Sequence, residues 1–194
     1  MIFVVAGIVA AGYWGWKMTS RSSYESAPFN LLESEGAIEL REYPDLILAT
    51  THTRSQSQGN DGSFMRLFNY ISGGNQNKQK VAMTTPVFME PSGPDRRGKM
   101  GFVIPSLVAN RSVPEPLSKE VQLQTRSGGR FAVIRFSGRI NSSLIRKQSE
   151  KLKDWIQDQN LIADGNIEVA GYDAPWTPGP FRRNELMVRL KPSS

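Results

Sequence analysis

The feature that most constrains this chain is a repeat in the order of its elements, not in residue identity. A strand at 46–53 precedes a helix at 63–72 and strands near 85 and 102. A strand at 131–136 precedes a helix at 142–159 and strands near 170 and 188. Both runs read strand, helix, strand, strand. One such unit buries one sheet face under one helix and leaves a core half made. Two units complete it. The order therefore predicts an α+β fold, a duplicated β-α-β-β unit forming a curved, mostly antiparallel sheet or open barrel with two main helices. A groove between the halves is a natural ligand site.

Local patterning supports these elements. Phe64, Leu67, Phe68 and Ile71 recur at i, i+3, i+4 and i+7, a single apolar helical stripe. Asp61 or Ser63 is placed to cap that helix, and Gly73-Gly74 to stop it. The longer helix has Asn141 or Ser142 as its cap. Leu144, Gln148, Leu152 and Trp155 share one face, and Lys147, Glu150, Lys151, Lys153 and Asp154 cover the solvent side. At 37–43, alternation sets Ile38 and Leu40 against Glu39, Arg41 and Tyr43. On the last strand Leu186, Val188 and Leu190 take the core face. Glu185 shares the other face with Met187 and Arg189, either lining a groove or exposed. The loop 173–185, with three prolines, Trp176 and Phe181, reads as a stiff plug over the barrel end.

Residues 1–16 carry no charged side chain. As a helix they would span roughly 24 Å, against about 30 Å of hydrocarbon. Tyr13, Trp14 and Trp16 suit an interface. The start is not basic, and these aromatics stand where a signal-peptide cleavage site would fall. The expected organisation is an uncleaved single-pass N-terminal hydrophobic helix at 1–16 as membrane anchor, a Ser-rich linker at 17–28 ending at Pro28, and a globular domain at 29–194. Lys17 and Arg21 follow the anchor, which places the domain on the cytoplasmic side. The absence of cysteine is equally compatible with a periplasmic placement.

Composition narrows the chemistry. Among 194 residues there is no cysteine and one histidine, which excludes a disulfide scaffold, an iron–sulfur cluster, a thiol nucleophile and a multi-histidine metal centre. The formal charge is +6, with basic residues scattered and not interleaved with aromatics, so no nucleic-acid groove is expected. There is no Gly-rich phosphate loop, HExxH or GxSxG, and Thr84-Thr85 have no identifiable base beside them. The expectation is a binder and not an enzyme, with a hydrolase acting through a groove carboxylate as the minor option.

Three stretches carry a more specific signal: GSFMRLFNYISGGN at 62–75, KVAMTTPV at 80–87 and PWTPGPFRRNE at 175–185. Over roughly residues 24–191 the chain resembles the SOUL/haem-binding protein family, itself similar to bacterial GyrI-like effector-binding domains, which share the duplicated unit. The resemblance implies a non-covalent carrier of haem or another tetrapyrrole. It implies Phe64, Met65, Phe68 and Met83 as lining, and Arg66, Lys78 or Lys80 as partners for the propionates. The chemistry is consistent. A porphyrin is a flat apolar disc with two carboxylates on one edge, and Phe and Met supply rigid and adaptable apolar surface. Met65 and Arg66 point away from the apolar stripe and are the better candidates. His52 is the one possible histidine ligand to iron, or else a satisfied strand histidine. The alternative is a protein-interaction or other amphiphile-binding module without haem specificity.

Overall fold

The computed structural model describes residues 24–53, 61–92, 97–174 and 177–192. The expected anchor helix at 1–16, most of the 17–28 linker, and Trp176 lie outside them. Among the described residues no helix is long and apolar enough to cross a membrane.

The elements are β1 (Glu25–Ser26), β2 (Asn30–Glu35), β3 (Ile38–Tyr43), β4 (Leu46–Thr53), α1 (Ser63–Ile71), β5 (Thr84–Thr85), β6 (Val87–Glu90), β7 (Gly98–Val103), α2 (Ser106–Ala109), β8 (Gln122–Arg126), β9 (Gly129–Phe136), α3 (Ser142–Asp158), β10 (Glu168–Gly171) and β11 (Asn184–Arg189). Nine strands form one sheet in the order β2-β3-β9-β11-β10-β6-β7-β4-β8. Every neighbouring pair in it is antiparallel. The two β-α-β-β units occupy opposite halves and meet at β6 and β10, where Val169 pairs with Met89. Strand order is mirrored about that seam. The flanking strands are exchanged, since β3 pairs with β9 of the second unit and β8 with β4 of the first.

This exchange bends the sheet. Six strand spacings separate β3 from β4, about 29 Å if the sheet were flat. Yet only Pro44 and Asp45 connect them, a link that reaches about 11 Å. The connection from β8 to β9 makes the same demand. The sheet therefore curls until its ends meet at these two turns, where Gly128 N–H donates to the Asp45 carboxylate at 2.6 Å. A side chain at Gly128 would collide with the backbone of Tyr43 and Pro44. The shell stays open, with β2 and β8 as its edges; the barrel alternative is not realised as a closed one.

Both main helices pack on the outside. Under α1, Leu67, Tyr70 and Ile71 meet Ala49, Met100 and Phe102. Under α3, Leu152, Trp155 and Ile156 meet Leu40, Ala132, Ile134 and Leu186. The inner face has a cluster of its own that includes Tyr43, Leu48, Phe88, Phe131 and Met187. Asn141 caps α3, accepting from Leu144 N–H at 2.8 Å. At α1 the cap position falls to Gly62, in the left-handed region at φ 82°, and Asp61 accepts from Ser63 N–H instead. Residues 25–27 are docked as well: β1 runs parallel to β5 and Ala27 is buried in the inner cluster. Phe181, expected to pack as part of a plug, lies exposed on a short 3-10 turn at Gly179–Phe181.

Candidate ligand site

The first helix buries a different stripe from the one its spacing indicates. Taking Leu67 as the centre, Tyr70 and Ser63 lie to one side and Ile71 and Phe64 to the other, with Phe68 roughly 100° round. The structure buries Ser63, Leu67, Tyr70 and Ile71. Tyr70 is drawn inward because its hydroxyl donates to the Pro114 carbonyl at 2.8 Å. Burial, and then the charge of Glu115, push that hydroxyl's pKa up to about 12. Drawing Tyr70 in rotates Phe68 out. Phe68 is 42% exposed and Met65 53% exposed. Phe64 is half-buried; it stacks on Phe68 with centroids 6.2 Å apart and planes at 12°, and meets the edge of Phe102 at 5.2 Å. The result is a ledge of parallel rings and a thioether facing solvent.

The other residues expected at the site fall around this ledge. Met83 is half-buried against the cluster beneath α1. Arg66 clamps α1 to β4. Its Nε donates to Thr51 Oγ1 at 3.1 Å and its Nη2 to the His52 carbonyl at 2.8 Å. A third bond runs from Nη1 to the Asp61 carbonyl at 3.3 Å. The His52 side chain is exposed at the end of β4. Lys78 and Lys80 are exposed in the turn after α1. Buried Asn75 shapes that turn, donating to the Tyr70 and Gln79 carbonyls and accepting from Gln79 N–H. Phe64 and Phe68 are thus brought together, Arg66 and His52 are linked through the backbone, and Lys78 and Lys80 sit past the helix end.

The inner face holds chemistry of another kind. Glu185 is 0% exposed and Arg41 is 1% exposed. Arg41 grips Glu185 with both terminal nitrogens, at 2.8 and 3.0 Å. Glu185 also accepts from the Tyr172 hydroxyl and from Arg183, each at 2.7 Å. Burial pushes the Glu185 carboxyl upward, but Arg41, Arg183 and Tyr172 outweigh it, so it titrates below its ordinary value. Burial likewise opposes the charge on Arg41, and the bonds and charge of Glu185 outweigh that too. Burial, then the Glu185 charge, raises Tyr172. Alternation had placed Glu185 opposite the core leucines, as lining or as exposed; it is buried there. Its partners Arg41 and Tyr172 were not foreseen. The available signal was that β3 and β11 each turn a charged face the same way: Glu39 and Arg41 on one, Glu185 and Arg189 on the other.

A third feature lies at the seam of the two halves. A cavity of about 380 Å³ is floored by Met100, Met89 and Val169 on three adjacent strands. Ile140, Ile145 and Arg146, at the start of α3, wall it. It is where a groove between the two repeats was expected. Among the described residues no cluster of His, Asp or Glu is placed to hold a metal ion.

A curled sheet of two repeated units, with an apolar ledge on one helix and a cavity at the seam, defines a small-ligand-binding domain. The chain belongs to the SOUL heme-binding protein family, whose profile matches residues 24–189. Human heme-binding protein 2 is 27% identical over 169 residues, which cover 83% of this chain and 78% of that protein. Among solved structures, the EcmrR C-terminal domain superposes with a TM-score of 0.58 at 12% identity, covering 80% of this chain and 98% of that one. A structure described as a hydrolase from Listeria innocua gives 0.60 at 11% identity, covering 82% and 94%. These two show the fold.

Proposed function

We propose that this chain binds and carries haem or another tetrapyrrole without covalent attachment, on the outer face of α1, and does not turn it over. The observation that carries the reading is the ledge: Phe68 and Met65 held in solvent, with half-buried Phe64 stacked on Phe68, on a helix whose remaining large apolar side chains are buried. A flat apolar disc finds there the ring-on-ring contact it lacks in water. Lys78 and Lys80 supply cations for its carboxylates beyond the helix end. Arg66 serves by fixing α1 to β4. The exposed imidazole of His52 is available to iron, and the apolar contact does not depend on it. The N-terminal run at 1–16 tethers the domain to a membrane, with the domain on the cytoplasmic side, a reading supported by its lack of charge and by Lys17 and Arg21 after it. Human heme-binding protein 2 as a relative supports the ligand class.

The test is a difference-absorbance titration of the protein with haem and with iron-free protoporphyrin. Saturation near one equivalent by both supports carriage on the ledge. Saturation by haem alone, lost in His52→Ala, makes iron ligation the basis of binding. Non-saturating uptake refutes specific carriage. The seam cavity favours a second reading, a slender amphiphile lying over Met89, Met100 and Val169; Ile145→Trp would then block binding while Phe68→Ser would not.

A further inference from the structure

The Arg41 guanidinium has five N–H donors, and every one is answered. Its Nε donates to Glu39 Oε2 at 2.6 Å. Its Nη1 donates to Glu185 Oε2 at 2.8 Å and to the Tyr43 hydroxyl at 3.0 Å. Its Nη2 donates to Glu185 Oε1 at 3.0 Å and pairs with Glu39 Oε2 at 2.5 Å. The Phe29 ring, itself 37% exposed, covers one face of the cation, 4.1 Å from Cζ to the ring centroid. A planar cation with a matched acceptor at each edge and an aromatic ring on its face is the arrangement of a receptor with its ligand in place.

Each acceptor has a second tether besides Arg41. Glu185 is separately tethered by Tyr172 and Arg183, and Arg183 in turn stacks on the Tyr172 ring at 4.1 Å. Glu39 is separately paired with Arg135 at 3.0 Å. An ordinary buried ion pair loses its geometry when one partner is removed. Here each carboxylate keeps a second anchor, and Tyr43 is held by Phe29 and Phe131 at ring distances of 5.4 and 5.5 Å.

We propose that the inner face of the sheet is a preformed receptor for a planar guanidinium, and that Arg41 is its resident ligand. Glu39, Glu185 and Tyr43 are the acceptors and Phe29 is the cover. In the native chain the receptor is filled, so organic cations do not enter. With the Arg41 side chain cut back, the same cage takes free guanidinium or a small monoalkylguanidine. This site is independent of the ledge on α1.

The test uses the full chain with Arg41→Ala, and thermal unfolding with low-millimolar guanidinium chloride or methylguanidinium, against sodium chloride at matched ionic strength and urea at matched concentration. The expected result is a saturable rise in Tm for Arg41→Ala with the guanidinium salts alone, absent in the native protein and in Arg41→Ala/Glu185→Gln. Calorimetry on Arg41→Ala then gives one site, weakened at least about tenfold by Tyr43→Phe, the loss of about 1.4 kcal/mol. If Arg41→Ala does not fold when expressed, it is refolded by dilution from urea with and without guanidinium. Recovery with guanidinium only supports the receptor, and equal recovery or none in both arms overturns it. A Tm that moves equally in native and variant chains, or equally with sodium chloride, also overturns it.

Discussion

The two halves of this molecule start from the same unit and use it differently. In the second half, α3 runs for 17 residues, is capped by Asn141, and buries Leu152, Trp155 and Ile156 over the sheet. In the first half, α1 runs for nine residues, begins at a glycine with no side-chain cap, and leaves Met65 and Phe68 in solvent. Exposed apolar surface on a short helix adds little to folding; under the proposed function, it is on α1 that a flat apolar ligand lies. Both copies bury core residues, α1 through Leu67, Tyr70 and Ile71; under the proposed function the first copy supplies recognition as well. Beneath both, the inner face is closed by its own ion pairs.

The largest expected effect lies in the second half. Leu152→Ala removes a fully buried side chain under α3 and should cost about 2–5 kcal/mol in urea unfolding, while tetrapyrrole affinity of the folded protein stays unchanged. Next comes the first half. Phe68→Ser with Met65→Ala should weaken tetrapyrrole binding about tenfold or more, while stability changes by about 0.5 kcal/mol or less, as for other surface positions. If the pair lowers stability as much as Leu152→Ala does, the division of labour fails. A smaller effect is expected at the α3 cap: Asn141→Ala should cost about 1 kcal/mol, read from the urea midpoint at unchanged slope.

The pH profile should leave the comparison itself untouched, because its groups are mainly those of the shared inner face. The Glu185 pKa is lowered on folding, so its contribution is present above its unfolded value of 4.5 and is lost as pH falls through the lower folded value. Tyr43, Tyr70 and Tyr172 are raised, so theirs is present below 10 and is lost as pH rises through the higher folded values. Stability measured by urea at a series of pH values should therefore form a plateau between these limits and fall on both sides. A midpoint that changes steeply near pH 7 would contradict this account of the network.

Much of the fold was legible because burial imposes periodicity. Alternation placed Ile38 and Leu40 on one face of β3 and Glu39, Arg41 and Tyr43 on the other, and that is how they lie. Asn141 was legible as a cap because its chemistry is local. The exchange of β3 and β8 between halves was not, since periodicity fixes faces and carries no information about partners. The rotation of α1 also escaped the pattern: Phe68 is as apolar as Leu67, and the deciding contact, from Tyr70 to Pro114, lies 44 residues away. Arg66 stood out as a cation for a ligand, but its bonds to β4 are set by tertiary placement. The Arg41–Glu185 pair spans 144 residues, and only the two charged strand faces hinted at it.

The most direct test of the division between the halves is amide hydrogen exchange with and without one equivalent of iron-free protoporphyrin, which leaves iron ligation out. The account predicts slowed exchange confined to α1 and the turn after it, through Lys80, with α3 and the inner strands β3, β9 and β11 unchanged. Protection at the start of α3 and along β6 and β10, with α1 unaffected, would contradict it and move the ligand to the seam.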